Sequence, residues 1–304
     1  MKSTVKIPIV MWFDKSTVKH LRLQFSFFLL PVFLFALSQA TQIDWTKTIL
    51  AFLILHVLVF PSSNGYNSHQ DRDDSSIGGL KNPPKVTYRL FYATLFMDLL
   101  ALLLGMVISP YFTILIMVFI LMSRAYSYRR IRLKKFPIIG FIVVFLFQGA
   151  YVYFISVAAI TSFNKADIFS GNTIICMIIS SLFIGSVYPL TQIYQHQADR
   201  KDGVISLSYK LGYAGTFIFS GLLYSLATFL MFSYFYLKHQ YIATILFILI
   251  ILPVVYKLSI WRTRVRKDNR NANYENTMAI NRLASVSMNL YFLILIINRY
   301  GNWF

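Results

Sequence analysis

Residues 64–84 read NGYNSHQDRDDSSIGGLKNPP and lie between two long apolar runs. A second stretch, QIYQHQADRKDGVISLSYKLG over residues 192–212, echoes the first and is also flanked by apolar runs. The chain has 11 Asp and Glu, and five of them stand here: Asp71, Asp73, Asp74, Asp199 and Asp202. A chain that gathers nearly half its acids at two points of an apolar background is organised around something cationic bound there.

The background is that of an integral membrane protein. Of 304 residues, 57% are hydrophobic and 13% charged, with a mean hydropathy of +0.60; soluble domains carry about 25% charged residues. The net charge of +18 therefore reads as membrane topology, with the lipid bilayer as partner and no nucleic acid. Cys176 is the single cysteine, which excludes an intrachain disulfide; in an apolar run it packs as a small hydrophobe. No cleavable leader is expected, because the first apolar run begins near Leu23 after a long polar start and reads as a span.

A span needs about 20 apolar residues. Nine runs qualify, near 23–40, 45–62, 88–108, 110–127, 137–160, 172–191, 213–236, 240–260 and 277–298. Pro110 and Pro137 open two of them, where a missing N–H costs little, while Pro31, Pro189 and Pro253 fall inside spans and predict kinks. With the N-terminus in the cytoplasm and nine alternating spans, 25 of the 29 Lys and Arg lie on the cytoplasmic side. Only Lys47, Lys165, Lys238 and Arg299 lie opposite. That asymmetry obeys the positive-inside rule and places both acidic stretches in the cytoplasm and the C-terminus across the membrane (the inner membrane, if the source is bacterial). The fold class is all-α: nine transmembrane helices in one bundle over 23–304, after a cytoplasmic polar segment over 1–22. Ile7, Ile9, Val10, Met11, Trp12 and Phe13 among lysines suit that segment to the membrane surface. The basic run WRTRVRKDNRN over 261–271 suits anionic lipid or a substrate.

In the first stretch Asn67, Asp71 and Asp74 fall at i, i+4, i+7, and in the second Gln195, Asp199 and Asp202 repeat the spacing. If each is helical, three oxygen-bearing side chains share one face. His69-Gln70-Asp71-Arg72 also echoes His196-Gln197-Ala198-Asp199-Arg200, four spans on, which suggests two similar four-helix halves facing each other. Hard oxygen ligands without sulfur or clustered imidazole suit Mg²⁺, which binds a few carboxylates together with substrate phosphates. Arg72, Lys81, Arg200 and the loop Arg129–Lys135 would neutralise diphosphate oxygens. The alternative is that these acids are solvated loop charges. Asp98, alone inside the third span, is either functional or paired with a neighbouring span. Asn64 stays an open candidate, and His69 and His196 read as structural or solvated.

These residues resemble the UbiA superfamily of intramembrane prenyltransferases, which has nine helices and two Asp-rich motifs, after helices two and six. The first family motif is approximately NxxxDxxxD; Asn67 and Asp71 match, Arg72 fits the basic residue that follows, and Ser75 takes the last aspartate position with Asp74 one residue early. In the second motif Asp199, Gly203 and Leu211-Gly212 match, whereas Gln195 stands at the first aspartate position and Asp202 is positioned to compensate. Tyr126-Ser127 and Lys134 resemble the family's Tyr-Ser and basic diphosphate positions. The resemblance implies that Mg²⁺-dependent ionisation of a polyprenyl diphosphate precedes prenyl transfer to an apolar acceptor, most often aromatic, with Asp71 and Asp199 essential. A terpene cyclase on the same scaffold, which needs no acceptor, is the second reading. A transporter or lipid-binding protein is the third, although its polar residues belong near the midplane rather than at span ends.

Overall fold

The computed structural model describes residues 12–301. Its helices are α1 (Lys15–Leu21), α2 (Leu30–Gln39), α3 (Trp45–Asp71), α4 (Tyr88–Ile108), α5 (Pro110–Ser127), α6 (Pro137–Ile160), α7 (Gly171–Gln192), α8 (His196–Lys201), α9 (Leu207–Leu237), α10 (Tyr241–Lys267) and α11 (Tyr274–Gly301). No strand forms among the described residues beyond one bridge, Ile77 to Leu80. Among the described residues eight helices are long and apolar enough to cross a membrane, and a ninth span arises if the helical segments on either side of Leu29 count together. The protein is a multi-pass integral membrane protein.

Residues 23–28 form a 3-10 helix and α2 begins at Leu30; the two segments meet at an angle of 40°, so the first span is bent where a kink is expected, with Pro31 in the first turn after the break. Its lost N–H falls where an α-helix leaves donors unpaired anyway. Pro189 and Pro253 do lie inside helices, and Pro110 and Pro137 open theirs. The second span outruns its apolar stretch: α3 continues to Asp71 and carries Asn67 and Asp71 on its last turns. It widens into a π-helical turn over Ile54–Val59, a feature that often re-aims side chains near functional sites.

The chain forms two compact units, residues 1–26 with 52–132, and residues 27–51 with 133–304. The first span belongs to the second unit although it precedes the first in the chain. Packing explains this: Phe35 of α2 stacks on Phe292 of α11 at 4.7 Å and meets Tyr153 of α6 at 5.2 Å.

In the first unit, α1 lies on α3 and α4. Leu21, Leu90 and Met97 form a core with Phe13, Leu58 and Val86 against it, and Trp12 stacks on Tyr92. Gly65 allows this close approach, since a Cβ there would sit 2.9 Å from Thr94 and 3.0 Å from Leu21. Trp12 and Phe13 both pack against α4, on Tyr92 and Phe96. Ile7 to Met11, the rest of the expected surface segment, lie outside the described residues.

In the second unit, Leu190, Ile193, Phe217, Trp261, Val265, Ala272 and Ile280 form a core where α7, α9, α10 and α11 meet. Burial of Trp261 and Val265 makes the basic run amphipathic: its arginines face out while the Trp261 ring N–H donates to the Asn271 carbonyl at 2.8 Å. This core anchors Ile193, two residues before Gln195.

Candidate active site

The first acidic stretch is built on the end of α3. Arg72 adopts the left-handed conformation (φ 55°) and its N–H donates to the Ser68 carbonyl, closing the helix. Asn67 and Asp71 therefore share a helical face as expected, but Asp74 lies beyond the helix, exposed in the following bend. The one-face expectation is corrected for Asp74, because the chain turns away at Arg72.

Cations converge on this helix end. Arg132 Nη2 pairs with Asp71 Oδ1 at 3.3 Å, and the two side chains are 9% and 6% exposed. Arg129 donates from Nε to the Gln70 carbonyl at 2.6 Å and from Nη2 to the Asp71 carbonyl at 3.2 Å, satisfying carbonyls that a helix end leaves open. Asn67 Nδ2 donates to Ser127 Oγ at 3.1 Å, next to the half-buried Tyr126. The loop after α3 is held from the other side. Buried Arg22 donates to the Gly78 carbonyl at 3.1 Å and to the Asn64 carbonyl at 2.8 Å, so Asn64 serves here through its backbone. His20 bonds the Pro84 carbonyl at 2.7 Å. Gly79 turns this loop with φ 85°, and Lys81 is exposed beyond it.

The second stretch forms its own short helix. The Asp199 N–H donates to the Gln195 carbonyl at 2.8 Å and the Asp202 N–H to the Ala198 carbonyl at 3.1 Å, so Gln195, Asp199 and Asp202 follow one helical run. Arg200 is exposed on it. Gly203 (φ 70°) ends it, and Gly212 (φ 66°, ψ 179°) breaks α9 before the membrane span proper. That last conformation is open essentially to glycine alone. His196 fastens the helix: it is buried, stacks on Tyr213 at 5.1 Å and bonds Ser208 Oγ through Nε2 at 2.8 Å. Burial pushes its pKa down to about 4, so it is neutral at pH 7. Lys134 lies in a 3-10 turn of this unit, where the Lys135 carbonyl accepts from the Ile205 N–H at 3.4 Å.

Five of the six acids outside the two stretches make structural contacts. Asp98 pairs with Arg124 (Nε to Oδ2, 3.1 Å) and accepts from Ser62 Oγ at 2.6 Å, and the Arg124 guanidinium lies 4.1 Å over the Tyr66 ring. Of the two readings open for Asp98, the pair with a neighbouring span is the one formed; it ties α3, α4 and α5 together. Asp14 caps α1 through the Thr17 N–H at 2.7 Å and faces Arg89 at 3.6 Å. Asp44 caps α3 and bonds Ser162 at 2.8 Å, Asp167 holds Thr41, and Asp268 caps the turn at Asn269.

No group of three His, Cys, Asp or Glu converges among the described residues. That donor set does not suit a closed, all-protein metal cage. Asn67 and Asp71 at the end of α3 are hard oxygen donors of the kind Mg²⁺ takes, one or two carboxylates with water and substrate phosphate completing its shell.

A model of the UbiA prenyltransferase family matches residues 27–283. The chain belongs to that family. It is thereby an enzyme of the prenyltransferase class. A UbiA homologue from Archaeoglobus fulgidus bound to DMAPP and Mg²⁺ is 16% identical, with a TM-score of 0.66 over 92% of this chain and 99% of its own. A structure of a UbiA homologue from Archaeoglobus fulgidus bound to GPP and Mg²⁺ gives 16% and 0.64 over the same shares. A structure concerning digeranylgeranylglyceryl phosphate synthase is 20% identical, with a TM-score of 0.58 over 93% of this chain and 97% of its own. Among curated proteins none matches the chain. At these identities the solved structures share the UbiA fold.

Within this UbiA-family chain, sequence reasoning grouped Arg132 with its loop and did not single it out, and it missed the tie between Arg124 and Asp98. An acid inside a span was the one signal for the second. Nothing local distinguished Arg132 from the five other basic residues after the fourth span.

Proposed function

We propose that the protein is a Mg²⁺-dependent intramembrane prenyltransferase that ionises a polyprenyl diphosphate and passes the prenyl group to an apolar, aromatic acceptor. The observation that carries this reading is the end of α3. There Asn67 and Asp71 lie on one helical face, and Arg132 meets the carboxylate at 3.3 Å. The family membership and the relatives that hold DMAPP or GPP with Mg²⁺ support the substrate class.

Asn67, Asp71 and Asp74 of the first motif, and Asp199 and Asp202 of the second, are the proposed oxygen donors. Gln195 stands where an anionic ligand is lost. Bound Mg²⁺ would supply positive charge against the departing diphosphate. Arg132 is placed to exchange its Asp71 partner for a diphosphate oxygen, with Arg72, Lys81, Tyr126, Lys134 and Arg200 as further diphosphate contacts. The C1–O bond of the prenyl chain breaks with its electron pair leaving on the diphosphate, and the acceptor loses a proton as its new bond to carbon forms. The charge asymmetry of the loops supports a cytoplasmic N-terminus and cytoplasmic motifs, with the C-terminus opposite.

The test is diphosphate release by purified protein given farnesyl or geranylgeranyl diphosphate, with Mg²⁺ or EDTA, with and without hydroxybenzoate, naphthoate or a membrane lipid extract. Release that needs both metal and acceptor is expected. Asp71→Ala and Asp199→Ala should each lower it at least about 100-fold while the protein stays monodisperse in detergent. A cyclic product formed without acceptor would replace transfer by cyclisation. Full activity in both variants would remove the motifs from the chemistry.

A further inference from the structure

A groove of about 430 Å³ runs between α9 and α10, its Phe217 end in the core that also holds Ile193 beside the second acidic stretch and its Phe232 end far along α9 from that stretch. Its volume is that of a ligand site, typically about 300–1,000 Å³. Phe217, Tyr224, Phe229 and Phe232 line it from α9, and Ile248 and Val255 from α10. From Phe217 to Phe232 it extends about 22 Å along the helix, more than the roughly 15 Å that one leaflet contributes to the hydrocarbon core. Its rims continue into exposed apolar stripes. Leu222 and Leu226 are 67% and 46% exposed on α9, and Leu249, Leu252 and Tyr256 are 56%, 53% and 71% exposed on α10.

The two ends differ in chemistry. The Phe232 end is apolar. At the Phe217 end the lining is Ser259 and Arg262, with Arg266 one helical turn beyond on the same face. Among the described residues no carboxylate pairs with either arginine. Arg262 stands five residues from the end of α10, a depth from which an arginine reaches the interface. Arg264 and Lys267 add positive charge around it. Midway, Thr228 lines the groove with a buried hydroxyl that has no hydrogen-bond partner.

We propose that this groove is a binding site for one anionic membrane phospholipid, its acyl chain against the four aromatic side chains and its phosphate on Arg262 and Arg266. Length, apolar wall and a two-arginine terminus match a single lipid of that charge. The exposed remainder of the basic run supplies the preference for an anionic headgroup, each such cation near the surface adding to the attraction.

Gly221 makes the test clean. It lines the groove, and a Cβ built on it meets nothing within 4 Å. Gly221→Leu therefore projects a side chain into the channel from a Cβ position that meets no packed atom, and raises helix propensity. Delipidated full-length protein, the Gly221→Leu variant and an Arg262→Ala/Arg266→Ala double variant would be titrated with phosphatidylglycerol or phosphatidylcholine and read by native mass spectrometry. Wild type should retain one phosphatidylglycerol in preference to phosphatidylcholine. The double variant should lose that preference by roughly tenfold or more, and Gly221→Leu should weaken both lipids. Equal retention of the two lipids by wild type, or unchanged binding in Gly221→Leu with a native thermal transition, would overturn the site. So would displacement of the lipid by geranylgeranyl diphosphate, which would assign the groove to substrate.

Discussion

The two acidic motifs share a spacing and differ in how they are held. The first is the tail of a 27-residue helix and is organised by charge: Arg132 on the Asp71 carboxylate and Arg129 on the carbonyls at the helix end. The second is a separate six-residue helix, too short to be stable alone, organised by neutral buried contacts of His196 with Ser208 and Tyr213. One recurring pattern is thus supported by two kinds of scaffold. A charge-held motif can trade its cation for a charged ligand, whereas a motif held by a neutral imidazole is insensitive to ligand charge and sensitive to pH.

The strongest way to break this contrast is to remove the cation. Arg132→Ala should lower kcat/KM for the prenyl diphosphate roughly tenfold to hundredfold with KM rising, and Arg132→Lys should recover only part of it, because a point charge does not replace the planar fork. An unchanged KM in steady-state assays would place Arg132 in structure alone. Beneath the same motif, Asp98→Asn leaves Arg124 buried without its counter-charge. A loss of about 3–5 kcal/mol is expected, seen as an earlier thermal transition in detergent, with a smaller loss in a double variant that replaces both partners by apolar residues.

The motifs can also be compared acid for acid. Asp202 closes the short helix that carries Asp199, whereas Asp74 has left the helix of Asp71. Asp202→Ala should therefore cost more turnover than Asp74→Ala, and the reverse order would show that the bend at Asp74 closes onto substrate. The smallest effect concerns pH. The pKa of His196 is about 4 in the folded protein, below its ordinary value near 6.5. The unfolded chain therefore binds the extra proton between those values, and stability falls as pH drops from about 6.5 towards 4. His196→Phe keeps a ring against Tyr213 and should flatten that part of the melting-temperature profile, while acid sensitivity from other groups remains.

Much of the fold is legible in the residues because a bilayer imposes a local rule: each span must be apolar over its own length. The run lengths follow from it, and the Pro110 and Pro137 starts follow from another local rule, that the first turn of a helix leaves its N–H groups unpaired. The breaks at Gly203 and Gly212 could also be read locally, since positive φ is costly for other residues. What the residues did not reveal depends on contacts between distant segments. Asp71 and Arg132 are 61 residues apart and Asp98 and Arg124 are 26 apart, and no periodicity marks which of many cations will meet a given acid. The end of α3 at Arg72, which separates Asp74 from its motif, is decided where Arg129 caps the last carbonyls. The company the first span keeps is hidden for the same reason: Phe35 finds Phe292 and Tyr153, and that packing, not the hydropathy of residues 23–40, decides to which unit α2 belongs. Hydropathy is a property of a segment and so can be read along the chain. Ion pairs and aromatic contacts are properties of a pair, and only the tertiary structure chooses the partner.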